Sequence, residues 1–270
     1  MTGAPVVLRA HAKLTLALKL TGVRDDGYHL IDAEMVSLAL HDTLTFDRSG
    51  DALSTSGPFS GGVPTDRTNL VARALELAGT TARVHIDKHI PYGGGLGGGS
   101  SDAATALRWA GFGTSRHELE RAGALGADIP FCLMGGRARV RGIGEIVDPL
   151  DHVDRAVTLI SPPLAVSTPA AYQTWDVMGG PTTDGPNDLT AAAIRVEPAL
   201  AWWHDAIGHR CGVAPTLAGS GATWFVEGEH EDALTDLVGE GATVVETTTV
   251  SGDVACGHVD LPEGGPPTAR

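Results

Sequence analysis

Six of the seven residues from Gly93 to Gly99 are glycine, interrupted only by Leu96, and Ser100, Ser101 and Asp102 follow directly. A backbone this bare can turn several main-chain N–H groups toward one anion. A helix starting just after it adds unpaired first-turn N–H groups and the positive end of its dipole. The chemistry implied is the holding of a polyphosphate, with a nucleotide as the leading ligand. A Walker A loop is excluded, because no Gly-Lys-Ser/Thr closes the run. Gly93, Gly95 and Gly98 satisfy G-x-G-x-x-G, but a run so rich in glycine produces that pattern by chance, and it lies far from the first βα turn of a dinucleotide fold. A flexible linker fits poorly between Val84-His85-Ile86 and Ala103-Ala104-Thr105-Ala106-Leu107.

Such a loop needs a strand to lead in and a helix to lead out. Residues 81–87 alternate as a strand should, and Ser100, Ser101 or Asp102 is placed to cap the helix that follows. Val6 to Leu18 also reads as a strand, with Leu14, Leu16 and Leu18 on one face and Lys13, Thr15 and Ala17 on the other. Further strands are expected over 30–46, a helix over 68–79, a short helix over 117–125 and strands around 137–147. Past a boundary near residue 150, a strand at 157–161 gives way to helices around 169–176, 187–195 and 199–209. Strands at 223–226 and 243–250 finish the pattern. This predicts an α+β protein of two domains, 1–150 and 151–260, with Leu261 to Arg270 as a disordered tail rich in proline and glycine.

Composition narrows the class. The chain has 270 residues, enough for one large domain or two moderate ones, and is 42% hydrophobic and 19% charged, as globular proteins are. Without an apolar run of spanning length or a signal-like h-region, it reads as cytoplasmic. Cys132, Cys211 and Cys256 suit neither a disulfide framework nor a metal pair, and the eleven histidines show no ligand spacing beyond His85 and His89. A net charge of −14 argues against nucleic-acid and anionic-membrane partners. It also means that a polyphosphate must be held by local features. Of 19 basic residues only Lys13, Lys19 and Lys88 are lysines.

Several separated segments resemble the 4-diphosphocytidyl-2-C-methyl-D-erythritol kinases of the GHMP kinase superfamily. They are Ala12-Lys13-Leu14-Thr15-Leu16, Asp26-Gly27-Tyr28-His29, Thr68-Asn69-Leu70, Ile86-Asp87-Lys88 with the glycine run, and Gly126-Ala127-Asp128-Ile129-Pro130-Phe131. Gly142-Ile143-Gly144-Glu145, Ser167-Thr168-Pro169, Asn187-Asp188-Leu189 and Gly219-Ser220-Gly221 continue the series in order. The resemblance covers nearly the whole chain. It implies a two-domain GHMP kinase fold, with an N-terminal domain like domain 2 of ribosomal protein S5, a ferredoxin-like C-terminal domain and the active site between them.

It also implies phosphoryl transfer from ATP, with Mg²⁺, to the 2-hydroxyl of a small CDP-linked methylerythritol, by a monomer or homodimer. Lys13 and Asp128 match the catalytic pair. Gly93, Gly94, Gly95, Leu96, Gly97, Gly98, Gly99, Ser100 and Ser101 would wrap the phosphates, with Asn69 and Lys88 on the nucleoside side. Tyr28 and Tyr172 would flank the cytosine, His29 would meet its edge, and Thr15, Thr168, Gly219, Ser220 and Gly221 would complete the acceptor site. No metal ligand can be assigned. Each residue also has a plainer role open to it: Asn69 can cap a helix, Asp128 a turn, and the tyrosines can pack in the core. The chain departs from the family pattern at His11, where proline is usual, and at Thr15, where asparagine is usual. A homoserine or sugar kinase and a non-catalytic nucleotide binder are the alternatives.

Overall fold

The computed structural model describes residues 4–257; the expected tail from Leu261 to Arg270 lies outside them. In chain order the elements are β1 (Val6–Val23), β2 (His29–Asp47), β3 (Leu53–Ser56), α1 (Leu70–Leu77), β4 (Arg83–Asp87), α2 (Gly98–Trp109), α3 (Arg116–Gly123) and α4 (Ile129–Met134). Then follow β5 (Arg137–Gly142), β6 (Ile146–Leu150), β7 (Ala156–Ser161), α5 (Thr168–Val177), α6 (Thr190–Val196), α7 (Ala199–Cys211) and β8 (Thr216–Leu217). The last are β9 (Trp224–Glu227), α8 (Thr235–Gly239), β10 (Thr243–Val250) and α9 (Gly252–Cys256). No described helix is long and apolar enough to cross a membrane.

The long strand β2 organises the molecule. One edge pairs with β1 along most of its length. Its other edge is divided: residues 31–36 pair with β5, Ser37 and Leu38 with β10, and residues 43–47 with β4. Because β10 also pairs with β7, and β7 with β9, one sheet of ten strands runs through both halves of the chain. Helices α1 to α4 cover the N-terminal strands through a core that includes Leu44, Phe46, Ile86, Leu107 and Phe131. A separate core around Ile160, Trp203, Leu217 and Trp224 fills the C-terminal half. The third cluster, with Leu14, Leu38, Leu96 and Leu159, crosses between them.

Local chemistry accounts for several boundaries. The Asn69 side chain accepts the Val71 N–H and starts α1, while Ser115 and Glu118 form a reciprocal capping box on α3. The expected side-chain cap on α2 is absent. Gly97, in the left-handed region at φ 68°, occupies that place, and Ser100, Ser101 and Asp102 lie inside the helix. The strict alternation expected for β1 also fails. A bulge between Thr15 and Ala17 inserts one residue, so Leu14 and Leu16 face one core and Leu18 and Leu20 the other. The short elements β3, α4 and β8 have too few residues for periodicity to reveal them, and α9 follows the strand expected to finish the fold.

Candidate active site

Lys13 sits on β1 just past its first bulge, nine-tenths hidden from solvent, and its ammonium donates to Thr15 Oγ1 at 3.1 Å. Asp128 stands at the start of α4, and its Oδ2 lies 3.5 Å from Lys13 Nζ. The carboxylate makes no capping hydrogen bond, so the turn does not explain its presence. Its side chain is one-third exposed and opens into a cleft of about 480 Å³. The glycine run is folded against this pair. Leu96 O accepts the Lys13 main-chain N–H at 2.9 Å, and a Cβ at Gly97 would come 2.6 Å from Lys13 Cγ. Glycine at 97 is therefore required twice, by backbone conformation and by the lysine stem beside it.

The cleft collects most of the residues expected to meet an acceptor. Tyr28 stands exposed at its mouth, and Tyr172 on α5 forms part of its wall. His29 packs between Tyr172 and Trp175, with ring centroids 4.8 and 5.7 Å away, and its Nε2 donates to Asp176 Oδ1 at 2.8 Å. Burial, aided by the Asp128 charge, pushes the Tyr172 hydroxyl up to about 12, so it remains neutral at physiological pH. Across the cleft, the hydroxyls of Thr168 and Ser220 share a hydrogen bond of 2.8 Å. Gly219 faces Thr15 and Lys13, and apolar side chains of Leu18, Ile31 and Met35 form the floor.

A second groove of about 310 Å³ runs along Gly93 to Ser100 and meets the first at Gly95 and Thr168. Gly221 borders this groove, while its neighbours Gly219 and Ser220 face the first cleft. The loop is gripped from both halves of the chain. Gly94 O accepts from Thr223 N, and a Cβ at Gly95 would meet Ala218 O at 2.6 Å. The loop therefore forms the wall between two hollows, with the Lys13–Asp128 pair lining the first of them.

Three residues expected at ATP are held by contacts within the protein. Ser101 is buried, with its hydroxyl donating to His11 O and its N–H to Gly97 O. Asn69 holds Val71 N and Pro64 O as a helix cap. Lys88 borders the groove along the loop but is buried, with its ammonium on Asp42 and Asp102. All three were expected to face ligand from the family resemblance, which matches residue types but does not fix which way each side chain points in this chain.

One organising residue escaped sequence reasoning. Buried Asn187 donates to Leu217 O and Gly219 O, fixing the Gly219-Ser220-Gly221 turn beside Lys13. The adjacent Asp188 accepts the Leu20 N–H and pairs with Lys19, tying that turn to β1. Asn187-Asp188-Leu189 was visible as a motif, but its role depends on contacts distant in sequence.

Comparisons with known proteins bear on the family and the fold. The family described as "GHMP kinases N terminal domain" matches residues 68–136, which span α1 through α4 and the glycine run. A 4-diphosphocytidyl-2-C-methyl-D-erythritol kinase from Paracoccus denitrificans (strain Pd 1222) is 39% identical over 235 residues, covering 80% of this chain and 84% of the relative. The chain belongs to the 4-diphosphocytidyl-2-C-methyl-D-erythritol kinase family. A kinase of the same name from Nitrosomonas eutropha (strain DSM 101675 / C91 / Nm57) is 33% identical, covering 85% of this chain and 90% of its own. A crystal structure of a 4-(cytidine 5'-diphospho)-2C-methyl-D-erythritol kinase superposes with a TM-score of 0.73 at 30% identity, covering 90% and 98% of the two chains.

Membership in this kinase family gives the two departures a structural setting. His11 is buried, with Nδ1 donating to Leu38 O and Nε2 without a partner among the described residues. Thr15 keeps its hydroxyl at the Lys13 ammonium but offers the cleft no amide. Among the described residues no group of three His, Cys, Asp or Glu side chains forms a metal site. Asp128 is the carboxylate lining the first cleft among the described residues, which fits a Mg²⁺ ion carried mainly by nucleotide phosphates and water.

Proposed function

We propose that this chain transfers the γ-phosphoryl group of ATP to the 2-hydroxyl of 4-diphosphocytidyl-2-C-methyl-D-erythritol, giving the 2-phosphate and ADP in the non-mevalonate route to isoprenoids. The observation that carries this reading is the Lys13–Asp128 pair, 3.5 Å apart, in a cleft walled by aromatic residues and bordered by the glycine loop. Residues 1–150 would supply the ATP cradle and the catalytic pair, and 151–260 the facing wall. The work would be done in the cytoplasm, without nucleic acid or membrane.

In this reading, main-chain N–H groups of Gly93 to Gly99 and the N-terminal end of α2 hold the phosphates, so an acidic protein binds a polyanion with few cationic side chains. Asp128 is the protein group that could hold a Mg²⁺ ion brought in with ATP, which would supply neutralisation of phosphate charge. The cytosine lies between Tyr28 and Tyr172 with His29 at its edge, where stacking contributes about 1–3 kcal/mol per base. Asp128 accepts the proton of the attacking hydroxyl. Lys13, 3.5 Å from that carboxylate, offsets charge on the phosphoryl group in flight.

The test is ADP formation by purified protein with ATP, Mg²⁺ and a panel of acceptors. Turnover is expected with the CDP-linked alcohol and not with homoserine or simple sugars, which have no base to occupy the aromatic walls. Turnover with homoserine alone would overturn the acceptor, and ATP binding without turnover of any acceptor would overturn the catalytic role.

A further inference from the structure

Beneath the glycine loop lies a charged unit that the reaction itself does not use. Lys88, directly after β4, donates from its ammonium to Asp42 Oδ2 and, at 2.6 Å, to Asp102 Oδ2. Asp42, on β2, is completely buried, and its Oδ1 accepts the main-chain N–H groups of His89 at 2.5 Å and Ile90 at 2.8 Å. Asp102, inside α2, is also buried, and its Oδ1 has no hydrogen-bond partner among the described residues. The ammonium lies under the start of α2, since a Cβ at Gly98 would come 3.4 Å from Lys88 Nζ. Both ends of the loop are thus tied to one side chain of β2. Asp42 holds the entry, residues 88–90, through main-chain bonds and reaches the exit at Asp102 through the ammonium.

Two ionised carboxylates on one ammonium would leave an excess negative charge in the interior, directly below a polyphosphate site. That arrangement is costly twice, through desolvation and through repulsion of the ligand. The hydrogen bonding separates the two acids. Asp42 receives three N–H donors, as an ionised carboxylate should, whereas Asp102 receives one and leaves an oxygen bare.

We propose that Asp42 is a positioning residue for ATP, fixing both ends of the glycine loop through its own carboxylate and the Lys88 ammonium, while Asp102 completes the unit as a neutral acid. This rests on the glycine loop being the ATP cradle. Burial, helped by the Asp42 charge and opposed by Lys88, raises the Asp102 carboxyl well above the usual carboxylate range. Lys88 and Asp42 are the charged groups facing Asp102. A bound polyphosphate adds negative charge and favours the proton on Asp102. Raising the pH removes that proton from the free protein and weakens ATP binding.

The experiment measures calorimetric binding of a non-hydrolysable ATP analogue with Mg²⁺ to the full chain, alongside the acceptor KM. Asp42→Asn should weaken nucleotide binding by about tenfold to a hundredfold, the range of one or two hydrogen bonds to a charged group, with the acceptor KM nearly unchanged. If that variant does not fold, Asp42→Glu keeps the charge but displaces the carboxylate, and the same selective loss is expected. Asp102→Asn mimics the neutral acid, so it should bind within about threefold of wild type and show a flatter decline in affinity between about pH 6 and 9. A tenfold loss in Asp102→Asn, unchanged affinity in the Asp42 variants, or identical pH profiles would overturn the proposal. Failure of the wild-type chain to bind the analogue would instead sink the ATP reading on which it rests.

Discussion

At the scale of single residues, Asp128 carries the sharpest expectation. Asp128→Ala removes the proton acceptor but none of the groove along the glycine loop. It should lower kcat on the order of 10²- to 10⁴-fold and leave ATP affinity close to wild type, as steady-state kinetics with a separate binding assay would show. An unchanged kcat would refute the role. His11 gives a second expectation, this one about stability. Burial, joined by the charges of His41, Arg108 and Arg9 and opposed by the Leu38 hydrogen bond, lowers its pKa from 6.5 to about 4. Above about pH 6.5 both folded and unfolded states carry it neutral, and it costs nothing. Below that the unfolded state takes up the proton first, so stability declines until about pH 4 and then levels off, by a total of about 3 kcal/mol. Urea midpoints at pH 7 and 4.5 should therefore differ more for wild type than for His11→Gln; equal differences would refute it.

At the scale of elements, the loop and its strand act together. Gly97→Ala introduces a Cβ at φ 68° against the Lys13 stem. The conformation alone costs about 1–2 kcal/mol, and displacing the lysine by about an ångström lowers kcat on the order of 10²-fold. Thermal denaturation and kinetics on the same preparation would check both, and a fully active, equally stable variant would show that the contact is relaxed in solution. The legibility of the sequence divides along the same line. The glycine loop, the strand before it and the helix after it were readable because each carries a local signal: composition, alternation or periodicity. So were Lys13 and Asp128 as types of residue in matching motifs. What could not be read was which way a neighbour points. One bulged residue at Leu16 exchanges the two faces of β1, and a helix beginning at Gly98 turns Ser101 and Asp102 into the core. The partnership of Asp42 with Lys88 was hidden because it joins strands 46 positions apart.

At the scale of the whole molecule, the divided edge of β2 makes the two halves one sheet, and Trp175, Leu189 and Ala192 from the C-terminal half pack into the N-terminal core. Calorimetry should accordingly show one unfolding transition, and two resolved peaks would contradict this coupling. The cleft is framed by that sheet rather than by a free linker. Asp188 binding Leu20 and Asn187 binding Gly219 keep its two walls in register. The same edge bears on how the protein is made. During synthesis β2 emerges early, yet its short stretch at Ser37 and Leu38 stays open until Thr249 and Val250 leave the ribosome some 200 residues later. Through most of translation the N-terminal half therefore displays an unpaired strand edge, which makes the nascent chain a client for chaperones and a hazard for strand-to-strand aggregation until β10 arrives.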